Sequence, residues 1–472
     1  MTIDFTLPLY LYRLIYCTIG LFITVNSFSQ NTIHIDASNS PFYILSDTTI
    51  IDGDSLLISA GAQVFINNSV NLNVYGYLSI VGSEQQPAEI LPINKNVGWG
   101  EIIIHESVDS LQIINARIID GRVLTKACNV HYKNTTFINQ QNLIWNQAIS
   151  RFFGGELLIE DCVFKGTNQG EGLLCHDIIN PIVFGCIFDS IPDAVEFLNC
   201  NAGRIGKCTF QNSKDDAIDL NHCTQTLIDS NLFFNIYNRG MEIGSENNGS
   251  STDIFVHHNI LVNCEEAITF KEGSTGKLAN NSFYKNQIAV SAMVLGNPSL
   301  GSSIEIINCI FQSNDQDLFT DSKSEIRTSY SSSNIQLITG ENNLLGPAKF
   351  ISPSDKNFNL NLASDCINSG SPESPFDPDG SRADMGALFQ PLQGLLPPIR
   401  LWPNPAREQI NFQLINTFKE LQIYDYTGRN CVTLEISETK YIQLSTYTLA
   451  PGIYFALFSS PDKSQLLRFV VL

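Results

Sequence analysis

The chain has 472 residues and a formal net charge of −20, from 47 acidic and 27 basic side chains. That balance excludes a nucleic-acid binder, whose affinity for phosphate is built from clustered Lys and Arg. With 43% hydrophobic and 16% charged residues, the chain can bury a large core and is not a disordered tail, and its length allows about two or three domains.

Residues 1–29 read as a signal peptide. Arg13 precedes an apolar run, Leu14 to Val25, that is too short for a bilayer-spanning helix, and small polar residues follow at Asn26 to Ser29. Cleavage is expected near Ser29/Gln30. No other stretch approaches the roughly 20 apolar residues of a membrane span, so no transmembrane segment is expected in the exported chain.

Residues 30–395 are dominated by a repeat. Aligned tetrads end at Phe137, Phe164, Phe188, Phe210, Phe233, Leu261, Phe283 and Phe311, at intervals of 27, 24, 22, 23, 28, 22 and 28. A second ladder pairs a small residue with an apolar one: Ala148-Ile149, Gly172-Leu173, Ala194-Val195, Ala217-Ile218, Gly240-Met241, Ala267-Ile268 and Ala289-Val290. Self-similarity at this period, in short β-rich segments without helical periodicity, marks a solenoid. The repeat is built from Ile, Phe, Val, Asn and Cys with Asn and Gly at turns, which predicts an all-β right-handed parallel β-helix rather than a leucine-rich repeat. Roughly thirteen coils are expected between Ile50 and Ile367, a rod about 60 Å long at about 4.8 Å per coil.

Twelve cysteines in an exported chain suggest disulfides, but their spacing points elsewhere. Cys162, Cys186 and Cys208 recur at one repeat position, as do Cys200 and Cys223, so stacked free thiols explain them as well as bridges do. At the N-terminal end, Leu72 to Gly82 alternates like an opening strand pair, and Trp99-Gly100 followed by Ile102 to Ile104 reads as the next coil. At the other end, Asp365 to Gly370 and Asp377 to Gly386 interrupt the pattern with turn residues, resembling the closing segment of many right-handed parallel β-helix proteins. Those aspartates are candidate Ca²⁺ ligands, set against Asp-Gly turns and an Arg382 ion pair.

From residue 396 to 472 the pattern is of short alternating strands, such as Ile410 to Leu414, Leu421 to Asp425, Ile453 to Leu457 and Arg468 to Leu472, expected to form a small β-sandwich. Four motifs stand in order: Trp402-Pro403-Asn404-Pro405-Ala406, Ile423 to Arg429, Leu449 to Tyr454, and Phe469 to Leu472. Together they resemble the C-terminal sorting domain of type IX secretion substrates. The resemblance implies engagement of the type IX secretion machinery and delivery to the surface, or release, from a Gram-negative bacterium.

Chemistry is then expected on the β-helix. Consecutive coils offer Asp193-Ala-Val-Glu196, Lys214-Asp215-Asp216-Ala-Ile-Asp219, Asn238-Arg239-Gly240-Met-Glu242 and Glu265-Glu266-Ala-Ile-Thr269-Phe-Lys271. Asp193 and Asp216 are one repeat apart and should stack, with Asp215 beside them. Carboxylates brought so close repel, and at least one should hold its proton more tightly, as a general acid requires. From Asp193 to Lys271 the chain resembles the polygalacturonase type of glycoside hydrolase. The resemblance puts Asp193, Asp215 and Asp216 at its aspartate positions and Lys271 at its lysine, and implies inverting hydrolysis. Arg239, Thr269 and Ile191-Pro192 stand where that family has His, Arg and Asn-Thr.

Several readings stay open at this point. A lyase would use Lys271 or Arg239 to remove a proton beside a uronate carboxylate, with the aspartates holding Ca²⁺. Asp-Ala-Ile is also a common device for entering a strand from a turn, so the same residues suit an adhesin or structural surface protein that binds polysaccharide without catalysis. An enzyme requires Asp193, Asp215, Asp216, Arg239 and Lys271 to converge; a scaffold requires the aspartates to pair with neighbouring turns.

Overall fold

The computed structural model describes residues 22–23, 27–28, 31–140, 147–245, 249–296, 299–391, 399–414, 418–425, 429–436, 441–460 and 463–471. The expected signal peptide lies outside them, except that Phe22–Ile23 and Ser27–Phe28 pair in parallel with Phe42–Ile44 and Thr48–Ile50. The described residues form no α-helix, only 3₁₀ turns at Ala37–Asn39 and Pro353–Asp355. The chain divides into two compact units, residues 1–374 with 382–389, and 375–381 with 390–472.

The first unit is a parallel β-helix. One face is a stack of 13 strands running from Thr32–Ile35 to Glu325–Ser329. The other two faces form one 26-stranded sheet, because Leu232–Ile243 and Ile260–Lys271 run unbroken around the corner between them. The coils therefore begin earlier and end earlier than the expected Ile50 to Ile367. Ile33 and Ile35 already alternate into the core at the start. Near the end, Ser333 pairs with Phe311, so a hydroxyl stands where earlier coils supply an aromatic ring.

Side-chain rows hold the coils in register. Phe137, Phe164, Phe188, Phe210 and Phe233 stack with ring centroids 4.9–5.0 Å apart, close to the spacing of parallel strands. Leu261 interrupts the column before Phe283 and Phe311 resume it at 4.9 Å. Beside it, the buried thiols of Cys162, Cys186 and Cys208 each donate to the carbonyl two residues back, at 3.3–3.4 Å. Asn231, Asn259 and Asn281 continue that row, each amide reaching a carbonyl of the previous coil at 2.9–3.0 Å. The 11 described cysteines are all unpaired. The second ladder stacks as expected from Leu173 through Val195, Ile218, Met241 and Ile268 to Val290, but its first member is displaced. Ser150, not Ile149, pairs with Leu173.

After an antiparallel pair, Phe350–Ser352 with Asn357–Leu360, the chain returns along the outside of the solenoid. Phe358 and Ala387 pack on Phe234, Ile260 and Val262, while Cys366 and Met385 pack on Ile310. Arg382 Nε donates to the Gly370 carbonyl at 2.5 Å, and its guanidinium lies over Tyr330. Asp379 accepts from the Ser381 amide at 3.0 Å, and Asp384 from the Asn368 amide at 2.7 Å, so both serve turns.

The second unit has a three-stranded and a four-stranded antiparallel sheet. The strands foreseen near residues 410, 421, 453 and 468 are present, joined by Ile399–Trp402, Asn430–Glu435 and Tyr441–Ser445. Both sheets share one core, in which Phe412 meets Phe458 at 5.3 Å, making a sandwich. Residues 426–428, within the motif from Ile423 to Arg429, lie outside the described residues.

Candidate active site

Strand alternation builds the site. Leu173, Val195, Ile218, Met241 and Ile268 align and point inward, so their successors Leu174, Glu196, Asp219, Glu242 and Thr269 form an outward row. Two residues before each inward position, Glu171, Asp193, Asp216, Arg239 and Glu266 form a second row along the corner. Asp193 adopts φ 40°, a left-handed conformation that Asp tolerates, at the turn that enters its strand.

Carboxyl oxygens of Asp193, Asp215 and Asp216 lie within 4.8 Å of one another. Arg239 Nη1 is 3.6 Å from Asp216 Oδ2 and 2.6 Å from Glu242 Oε2, and Lys271 Nζ is 2.5 Å from that same Glu242 oxygen. The five residues singled out from the sequence therefore converge. Sequence reasoning assigned no role to Glu171, Glu196, Asp219, Glu242 or Glu266, although Glu196, Asp219 and Glu242 recur at the constant spacing of 23 that marks one row. The turn-capping role is real as well. Asp216 Oδ1 accepts the Arg239 amide at 2.8 Å, and Asp215 Oδ1 accepts from Asn238 Nδ2 at 2.7 Å.

Eight carboxyl groups thus face two cations, which cannot all remain charged at low cost. Burial, and then the charge of Asp215, pushes the Asp193 carboxyl up to about 8. Glu196 rises to about 7, through burial and then the charge of Glu171. Asp216 and Asp219 are also driven upward by burial, each then by the charge of Glu242. Oxygens 4.8 Å apart can share one water or one hard cation, so Asp193, Asp215 and Asp216 are the residues that would hold Ca²⁺. Buried Asp219 Oδ1 and Asn221 Oδ1, which accept no hydrogen bond, add oxygen donors nearby. His257 and His258, set Nδ1 to Nδ1 at 2.8 Å, lie on the 13-stranded side. A shallow concavity of about 700 Å³, lined by Gln112, His131, Leu158 and Ile182 among others, also lies on that side rather than at the acidic row.

Residues 120–283 and 193–340 match the family described as right handed beta helix region, and residues 400–472 match the secretion system C-terminal sorting domain. The chain is thus a right-handed parallel β-helix protein. More particularly, it carries a type IX sorting domain and is exported by that system to the cell surface or the extracellular space. No curated protein matches it in sequence. Among solved structures, PorZ, a surface component of the type-IX secretion system of Porphyromonas gingivalis, is 26% identical over 16% of this chain and only 11% of its own, with a TM-score of 0.15. The periplasmic alginate epimerase AlgG is 10% identical over 65% of this chain and 76% of its own, at a TM-score of 0.32. An alginate lyase from Paenibacillus sp. str. FPU-7 is 10% identical over 63% of this chain and 100% of its own, at 0.30. These likenesses decide nothing about chemistry.

Proposed function

We propose that the exported β-helix, after loss of residues 1–29, binds an extended polysaccharide across the acidic row and hydrolyses it. The observation that carries this is Asp193: a half-buried carboxyl held up to about 8 keeps its proton at neutral pH, yet stays open enough to deliver it to a glycosidic oxygen. Asp215, beside it and half exposed, orients and deprotonates the attacking water. Asp216, fixed by the Arg239 amide, positions both. Arg239 and Lys271 hold Glu242 in place.

A lyase is less well supported by the same geometry. Its base must be a neutral Lys or Arg, whereas the Lys271 side chain is 3% exposed and locked to a carboxylate at 2.5 Å. A non-catalytic adhesin needs the turn-capping aspartates but gives no reason for the carboxyl groups of Glu196, Asp219 and Glu242 to be stacked on successive coils.

The test is incubation of the secreted protein with neutral and uronate polysaccharides, with and without Ca²⁺, following reducing ends and unsaturated products separately. Reducing ends without unsaturation are expected, and Asp193→Asn should lower kcat by about 10²–10⁴. Unsaturated product lost in Lys271→Ala would establish a lyase instead. Binding without any product, from demonstrably folded protein, would establish the adhesin.

A further inference from the structure

The outward row that carries Glu196, Asp219 and Glu242 holds a cation further toward the N-terminus. Arg151 pairs with Leu174, which pairs with Glu196, so Arg151 stands two coils, about 10 Å, ahead of the first of those acids. Its Nη2 lies 2.7 Å from Glu101 Oε1, and Arg122 Nη2 lies 3.2 Å from the same oxygen. Two guanidiniums therefore share a single carboxylate oxygen. Their side chains remain 26% and 23% exposed, while that of Glu101 is 11% exposed. Arg151 Nε is buried and donates no hydrogen bond.

The surroundings hold this pair in place. Trp99 lies on Gly121, where a Cβ would come within 1.9 Å of the indole, and its Nε1 donates to the Ile119 carbonyl at 2.8 Å. Arg122 follows directly and lines a cavity of about 160 Å³. Asp120 also lines that cavity but is only 3% exposed, with Oδ1 taken by the Gln140 amide, so the charge presented to solvent is that of the guanidiniums. Burial and the neighbouring Arg151 charge both make Arg122 less willing to stay protonated, a cost that an incoming anion would relieve.

We propose that Arg122 and Arg151 form an anion subsite for a polysaccharide bearing carboxylate or sulfate groups, placing one charged substituent about two coils before the acidic row. This rests on the acidic row being a glycan-processing site, and it gives that site a substrate class. It also answers an electrostatic difficulty: a chain of net charge −20 repels an anionic polymer unless a local basic patch receives it. Planar guanidiniums suit that task, since each can grip a carboxylate or sulfate through two donors.

The test is titration calorimetry on the full secreted chain with three probes: a galacturonate hexamer, its fully methyl-esterified form, and a sulfated dextran oligosaccharide. The variants are Arg151→Gln, Arg151→Lys and the double Glu101→Gln/Arg151→Gln, which leaves no carboxylate unpaired if the single substitution unfolds. At low salt at least one anionic probe should bind about tenfold or more tightly than the neutral ester, and the stronger one names the substituent. That preference should collapse in the double variant and weaken in Arg151→Lys. Equal binding of charged and neutral probes, or a preference that survives the double variant, overturns the subsite. Arg-dependent binding without turnover of any polymer would leave the subsite standing and remove the hydrolase. Turnover of a neutral polymer without Arg-dependent binding would do the reverse.

Discussion

At the scale of single residues, the acidic row sets an expectation that stability alone can check. A free Asp titrates near 3.9, whereas burial holds folded Asp193 up to about 8. Between those values the folded chain keeps a proton that the unfolded chain has released, so raising the pH favours unfolding across that window. Asp193→Asn abolishes the term. In the presence of a chelator, its melting temperature relative to the parent should rise steadily from pH 5 to pH 8, with a gain of about 1 kcal/mol or more at the upper end. Glu196 is pushed up by burial and the charge of Glu171, neither of which the substitution removes, so the pH-dependent difference is carried mainly by Asp193. A gap that does not change with pH would mean that Asp193 is ionised in the folded protein, and the general-acid role would fall with it. Asp193, Asp216 and Arg239 were legible because they recur 23 residues apart, and Asp215 and Lys271 because they fall within the motifs that carry the resemblance. Glu196, Asp219 and Glu242 were harder to assign, since each follows an apolar residue and an outward Glu on a strand ordinarily faces solvent. The strand register stacks the three on successive coils, as their spacing of 23 implies.

At the scale of an element, the polar row inside the turns does as much as the aromatic column. Asn259 is fully buried. Its Nδ2 reaches the Ile228 carbonyl and Asn281 Oδ1, both at 3.0 Å, and its Oδ1 accepts the Asn231 amide at 2.9 Å. Asn259→Leu keeps the approximate volume but strands a donor and an acceptor on the neighbouring coils. A loss of about 3 kcal/mol or more is expected in chemical denaturation, because each unsatisfied buried group costs about 1–3 kcal/mol. A loss below about 1 kcal/mol would show that the solenoid tolerates an apolar turn here and that the row is not a stabilising ladder. The period, the Phe column and the equivalence of Cys and Asn were all readable in the sequence, since each is fixed by the contact between a coil and the next copy of itself. The ends were not. Ile33 and Ile35 begin the stack in a stretch without the tetrad, and Phe350, Phe358, Cys366, Met385 and Ala387 pack by contacts particular to Phe234, Ile260 and Ile310, which no repeat announces. The slip that puts Ser150 opposite Leu173 escaped for the same reason: the small-apolar pair Ala148-Ile149 fits the pattern one residue away from the true register.

At the scale of the whole molecule, the two units have separate hydrophobic cores, one running the length of the coils and one enclosed between the two sheets of the sorting domain. Their charge is just as divided: residues 399–472 are near neutral, at +1, while the remainder carries −21. A signal for transport need not share in the solenoid's stability, and among the described residues the core of the coils is drawn from residues 33–338. Deleting residues 400–472 should therefore leave the coil unit folded, with an unchanged β-rich circular dichroism spectrum and a melting temperature within a few degrees of the parent's, while abolishing its appearance outside the cell. Fractionation should find the truncated chain in the periplasm, since it keeps residues 1–29, expected to act as a signal peptide at the inner membrane, and loses the tail that serves type IX export. Accumulation at the surface despite the deletion would place the export signal within the β-helix. Loss of folded protein altogether would mean that the coils need the sandwich to fold, and the separation of the two cores would then describe the finished molecule but not its assembly.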